Sequence, residues 1–362
     1  MIPFLNLRPG PDVGDVRAAI DRVVARGWFV LGPELEAFEQ EFAAACGAAH
    51  AIGVGTGTDA IALALRACGV GPGDEVITAP LSAAYSALAV MMTGARPVFA
   101  DIDPVRLTLD PRATDAAVTS KTRAIMPVHL YGQPADMDAI VDVASRRRLI
   151  VVEDCCQAHG ATCGGRPVGS FGIAAAYSFY PTKNLAALGD GGAITTSDAA
   201  VAARLKRLRN GGQTDRYHHS EFGVNSRLDE IQAAILRARL PWLAKWTGQR
   251  RHLAADYRAR LADTLVAVPP ECDPGHVYHL FPILSSDRDG LQARLKARGV
   301  ETLIHYPVPI PRQPALQTEA PSQCPVADRV CDQVLSLPLH PGLTPAAVHE
   351  VASALHVAAA AS

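Results

Sequence analysis

From residue 50 to about residue 209, short apolar runs alternate with stretches in which apolar residues recur every three or four positions. The runs at 50–54, 75–79, 97–101, 124–129, 149–153, 174–179 and 192–196 are too short for helices and read as strands buried on both faces. Helical spacing fits 59–68, 83–92, 137–147 and 199–209 between them, and 13–26 and 34–46 ahead of them. Alternation of this kind predicts an α/β domain built on a largely parallel sheet. Past Asn225 the pattern changes. Residues 226–260 read as an almost uninterrupted helix broken near Pro241, and 277–284, 291–298 and 301–305 suggest a small α+β unit. The proline-rich stretch 307–325 predicts a loop over a cleft or subunit contact, and 351–361 a closing helix.

At 362 residues the chain is long enough for two domains, and a hydrophobic fraction of 49% fits a large core or a substantial oligomer interface. A formal net charge of −2, with acids and bases interspersed, suggests neither a nucleic-acid groove nor a membrane-surface patch. No apolar run approaches the ~18–20 residues that a membrane span needs. The start of the chain, Met1 to Asn6, lacks a basic segment followed by an apolar one, so no signal peptide is expected. Eight cysteines with no C-x-x-C pair and no metal-ligand spacing read as small buried hydrophobes in a reducing cytoplasm.

One lysine stands apart. Lys183 follows the apolar run 174–179, lies between Pro181 and a glycine-rich turn, and has the hydroxyl of Ser178 five positions upstream. Burial at the mouth of a strand disfavours the ammonium form and leaves a nucleophilic amine, the setting expected of a Schiff-base lysine. The competing Lys121, Lys206, Lys245 and Lys296 sit in charged or amphipathic surroundings and read as solvated or snorkelling side chains.

Four further features suit an aldehyde cofactor that bears a phosphate. Gly53 to Ala60 (GVGTGTDA) is a glycine-rich turn from strand to helix, where backbone amides close on an anion. The same residues also make a plain tight turn with Thr58 or Asp59 as helix cap. Asp154 ends an apolar strand, where a carboxylate needs a cationic partner. A pyridinium nitrogen would serve, and so would an arginine or a helix N-terminus. Gln157 is placed to donate to a ring oxygen, and His159 to flank the site. Ser178 could bond the phosphate. Finally, Asn225-Ser226-Arg227-Leu228-Asp229 is a polar cluster that reads equally as functional or as a cap, with Asn225 or Ser226 at the N-cap.

With these residues in place, the chain resembles the DegT/DnrJ/EryC1/StrS family of pyridoxal phosphate (PLP)-dependent sugar aminotransferases, which share the aspartate aminotransferase-like (type I) fold. The similarity runs nearly end to end. It includes IPFLNL at the start, LGPELEAFE at 31–39, PVHLYGQ at 127–133, and HYP at 305–307, with SFYPTK at 178–183 and NSRLD at 225–229 the most diagnostic. The resemblance implies a large PLP-binding domain at 1–240 with a mostly parallel seven-stranded sheet, and a small α+β domain at 241–362. It makes Lys183 the Schiff-base lysine and general acid/base, pairs Asp154 with the pyridine nitrogen and Gln157 with the ring hydroxyl, and gives the phosphate to Gly57, Thr58 and Ser178. Asn225 would complete that phosphate site across a homodimer. His159, Arg227, His305 and Tyr306 would meet the substrate. The activity implied is transfer of an amino group from L-glutamate to a nucleotide-linked ketosugar, most similar to members acting at carbon 3 of 6-deoxyhexoses. Action on a 4-ketosugar or a keto-cyclitol, or a non-catalytic PLP-binding regulator, are the alternatives. Family dehydratases carry histidine where this chain has Lys183, and a nicotinamide enzyme would need the G-x-G-x-x-G fingerprint that 53–58 does not supply. Two departures stand out. Ala83 occupies the place of an aromatic residue that stacks on the cofactor ring, with Tyr85 two residues later, and Gly211-Gly212 replaces the usual Tyr-Gly.

Overall fold

The computed structural model describes residues 1–8, 10–316 and 323–360. All seven expected strands form one sheet, in the order His50–Val54, Gly192–Thr196, Ala174–Ser178, Ile150–Asp154, Thr122–Met126, Glu75–Thr78, Arg96–Phe99. Gly192–Thr196 runs antiparallel to both neighbours and the remaining pairs are parallel. Hydrophobic clusters cover both faces. One gathers helix Gly57–Ala67 with Ala89, Val90, Val201 and Leu205; the other gathers Leu35, Phe38, Phe42, Met137 and Ile140. This two-sided burial is why the strands read as continuous apolar runs.

Helix starts follow local chemistry, but not always at the expected residue. Asp136 and Asp198 cap Met137–Arg147 and Ala199–Leu208 by accepting first-turn amides. The cap of Gly57–Ala67 is Thr56, not Thr58 or Asp59. The 225–229 cluster is not itself helical. Asp229 is the N-cap, and the long helix resolves into Glu230–Arg239, a single 3-10 turn at Leu240–Trp242, and Leu243–Leu261. The break comes where Pro241 removes a backbone donor. Glu230, fully buried, accepts from the amides of Gly32, Glu34 and Leu35, and so fixes the entry to helix Pro33–Cys46 from far along the chain.

A second core surrounds helices Leu243–Leu261 and Pro345–Ala360 and the antiparallel pair Phe281–Leu284 with Val334–Leu337. The expected strand at 301–305 is only a single bridge, Leu303 to Ser336. The 307–325 stretch carries a short turn at Ile310–Arg312, with 317–322 outside the described residues, and helix Pro325–Gln333 follows it. The closing helix starts earlier than expected, at Pro345, while 361–362 lie outside the described residues. Ile310, Leu316 and Cys324 pack with the larger core, so packing crosses between the two units. The chain's beginning does the same. Ile2 bridges Val300 in parallel, and Asp12 pairs at 2.8 Å with the buried Arg239, whose Nη1 donates to the carbonyl of Ala186 at 2.7 Å.

Buried histidines add a pH sensitivity. Burial pulls His159 and His276 down from 6.5 to about 3, and His276 Nδ1 accepts from the amide of Tyr278 at 2.9 Å, which requires a neutral ring. Below pH 6.5 the unfolded chain takes up a proton at each of these positions and the native chain does not. Stability is therefore whole above 6.5 and falls as pH drops towards 3, each group removing up to ~1.4 kcal/mol per pH unit. The urea midpoint is expected to fall clearly between about pH 7 and about pH 5; an unchanged midpoint contradicts the assignment.

Candidate active site

Three strand ends converge at one edge of the sheet. Val54, Gly192 and Ser178 share one register row, and Asp154 lies beside Ala176 on the next strand. The turn after Val54 therefore meets Ser178. A Cβ on Gly57 would lie 2.5 Å from Ser178 Cβ and 3.1 Å from its Oγ, so only glycine permits this approach. Thr56 Oγ1 accepts the amide of Asp59 at 3.0 Å. The first two helical amides, of Gly57 and Thr58, keep no protein acceptor among the described residues. Two free amides at a helix N-terminus beside a serine hydroxyl fit a phosphate. Gly57→Ala is expected to weaken cofactor binding at least tenfold and to lower the melting temperature, checked by equilibrium dialysis of PLP and calorimetry; full retention of both would contradict this close packing.

Asp154, buried, accepts from Ser86 Oγ at 2.8 Å and from the amide of Cys156 at 3.1 Å. No lysine or arginine forms an ion pair with it among the described residues, so the arginine partner allowed by the sequence is absent. Its two donors are a hydroxyl and an amide, which leaves the carboxylate able to take a cationic ring nitrogen. Ser86 escaped sequence reasoning. Its only signal was a small hydroxyl beside Tyr85 within the otherwise apolar stretch 83–92.

Lys183 lies in the turn beyond Ser178, its amide donating to the carbonyl of Tyr180 at 2.8 Å. Burial holds its amine below the usual lysine range, with Cys156 and Asp154 pulling the other way. Asn184 ties the turn to the second unit. Its Nδ2 donates to the carbonyl of Val277 at 3.1 Å, and its Oδ1 lies 3.2 Å from His279 Nδ1. Burial, reinforced by Lys183, lowers His305 to about 4 and His279 well below the usual histidine range. Neutral imidazoles thus surround the amine at physiological pH.

Gln157 is engaged on both sides. Oε1 accepts the amide of Tyr131 at 2.8 Å and Nε2 donates to Tyr306 Oη at 3.1 Å, leaving one Nε2 hydrogen for a ring oxygen. Tyr131 in turn donates its hydroxyl to the carbonyl of His305, so Gln157, Tyr131, His305 and Tyr306 form one network. Burial pushes the Tyr306 phenol up to about 12, which keeps it protonated. His159 is enclosed. It is 1% exposed and packs 5.7 Å from the rings of Tyr177 and Phe179, where burial lowers its pKa and Lys183 is near enough to add to that shift. Tyr85 is 64% exposed at the start of its helix and is not packed over the site, and Ala83 offers only a methyl group. Asn225 is exposed, and Arg227 Nη1 is held by Asn210 Oδ1 at 2.9 Å. Among the described residues no helix is long and apolar enough to cross a membrane.

Comparison with known proteins places the chain in a family. The family model for the DegT/DnrJ/EryC1/StrS aminotransferase family matches residues 12–356. The dTDP-3-amino-3,4,6-trideoxy-alpha-D-glucose transaminase of Streptomyces venezuelae is 49% identical over 94% of this chain and 92% of its own length. The erythromycin biosynthesis sensory transduction protein EryC1 of Saccharopolyspora erythraea is 46% identical over 99% of this chain and 100% of its own. The crystal structure of S. venezuelae DesV in complex with a ketimine intermediate superposes with a TM-score of 0.95 at 48% identity, covering 98% of both chains. With a type I fold, a close approach of Gly57 to Ser178 and a half-buried lysine near a buried aspartate, the chain belongs to the DegT/DnrJ/EryC1/StrS aminotransferase family and is a PLP-dependent aminotransferase.

Proposed function

We propose that this enzyme moves an amino group from L-glutamate to carbon 3 of a nucleotide-linked 3-keto-6-deoxyhexose in amino-sugar biosynthesis. The reading rests on the Lys183 amine and the Asp154 carboxylate at one sheet edge, in a chain close to a 3-amino-sugar transaminase. PLP, when bound, supplies an aldehyde for amine exchange and a ring that draws electrons from the carbon being deprotonated. Lys183 would hold the cofactor through its aldehyde, and its amine would carry the proton to and from the donor's α-carbon. Asp154, oriented by Ser86, keeps the ring nitrogen protonated. The amides of Gly57 and Thr58 and the hydroxyl of Ser178 hold the phosphate, and Gln157 uses its remaining hydrogen on the ring hydroxyl. Asn225 of the partner subunit completes the phosphate site, which makes the homodimer the working unit. Arg227 meets the nucleotide diphosphate, and His305 and Tyr306 the sugar. Eight free thiols support a cytoplasmic setting. The 3-10 turn at Leu240–Trp242 supports a division into a PLP-binding domain at 1–240 and a smaller one at 241–362.

Purified holoenzyme is expected to lose its yellow absorbance on addition of glutamate. With a panel of nucleotide ketosugars it should then yield a 3-amino sugar identifiable by mass and NMR. Turnover of a keto-cyclitol or a 4-ketosugar instead would replace the substrate. The regulatory name of the EryC1 relative favours a second reading, a PLP-binding sensor, for which absorbance would stay unchanged with every amino donor.

A further inference from the structure

Beside Lys183 lies a cavity of about 280 Å³, bounded by the N-terminal segment and helix Leu243–Leu261, with Thr182, Lys245, Trp246, Arg250 and His340 on its walls. Arg250 is 4% exposed and pairs with no carboxylate among the described residues. Its Nη1 donates to the carbonyl of Leu339 at 2.8 Å and to those of Tyr278 and His279 at 3.4 Å, but its buried Nε has no partner among the described residues. His340, 5% exposed, has neither ring nitrogen partnered. A buried guanidinium without a counter-ion is costly, and an anion on the cavity side removes that cost. The cluster connects directly to the reacting amine. Arg250 holds the carbonyl of His279, His279 Nδ1 faces Asn184 Oδ1, and Asn184 follows Lys183.

Size and charge select the occupant. A volume of 280 Å³ falls just below the ~300–1,000 Å³ of sites for drug-sized ligands, too small for a nucleotide sugar but ample for an amino acid. The neighbouring cavity of about 760 Å³, which shares Leu5 and Thr182, sets Asp289 and Glu301 against Lys296 and does not favour a small anion. Burial, helped by Arg250, holds His340 below the usual histidine range, so it donates as a neutral ring. We propose that Arg250 and His340 bind a carboxylate of the amino-acid donor and so present its amino group to the cofactor at Lys183. The site rests on the aminotransferase reading above and assigns the donor's half of it.

The test uses glutarate, the donor's skeleton without its amine, titrated into holoenzyme by calorimetry. Arg250→Lys and His340→Leu are each expected to weaken glutarate at least tenfold. In single-turnover reactions both should lose at least ten times more rate with glutamate than in the reverse half-reaction from a nucleotide amino sugar. His340→Leu removes no hydrogen bond and should keep the wild-type melting temperature, so it carries the test even if Arg250→Lys misfolds. Glutarate affinity within twofold of wild type in His340→Leu overturns the proposal. Equal loss in both half-reactions also overturns it and gives the cavity to the nucleotide diphosphate. Wild-type protein that binds glutarate through these residues yet transfers no amino group would sink the functional reading and leave the site standing.

Discussion

Lys183→Ala protein is expected to show no yellow absorbance with PLP and to lose at least ~10⁴-fold in the rate of the glutamate half-reaction, the upper end of what a positioned acid–base group supplies. On the proposed reading two separate roles fall on one nitrogen, the covalent hold on the cofactor and the proton transfer, and the other four lysines are all exposed. Lys245 lies over the Trp242 ring at 4.9 Å on an exposed helix face, and Lys121 is exposed at a strand entrance. Folding should be unharmed, because removing an amine whose charge burial already disfavours relieves a desolvation cost. Borohydride reduction followed by peptide mapping checks the attachment. A label on any other side chain would refute the assignment.

Asp154→Asn is expected to keep cofactor binding within about tenfold while slowing the same half-reaction by roughly 10²–10³, the effect of removing one preorganised electrostatic interaction from the transition state. The asparagine retains the shape that Ser86 and the Cys156 amide grip but cannot hold a proton on the ring nitrogen. Ser86→Ala should give a milder loss of about tenfold, since the carboxylate then keeps only one of its two hydrogen bonds. Rapid-mixing absorbance measures both. A normal rate in Asp154→Asn would mean that the ring nitrogen does not depend on this carboxylate.

The sheet was legible because all its strands but the edge strand Arg96–Phe99 are largely buried on both faces and separated by turn residues, and Lys183 and Asp154 because polar groups at or just past the ends of such strands are conspicuous. What escaped was held by distant partners. Nothing near Glu230 says that its carboxylate caps a helix starting at Pro33. Tyr131 reaches His305 across the fold, and the histidine cluster around the lysine draws on three separate stretches of chain. Capping errors at 56–59 and 225–229 share one cause: where several Ser, Thr, Asn and Asp residues are adjacent, composition offers many caps and backbone path selects one. The aromatic packing of Tyr177 and Phe179 around His159 is likewise invisible in one dimension.

Near its start the chain is fastened at two points, Ile2 and Asp12. One end is sewn to Val300 in the smaller unit and the other is pinned through Asp12 and Arg239 to the backbone just past Lys183. A shift of the smaller unit would therefore tug on the segment that walls the lysine. A bulky fusion ahead of Met1 would load that leash directly, so handles for purification or immobilisation belong at the far end of the polypeptide.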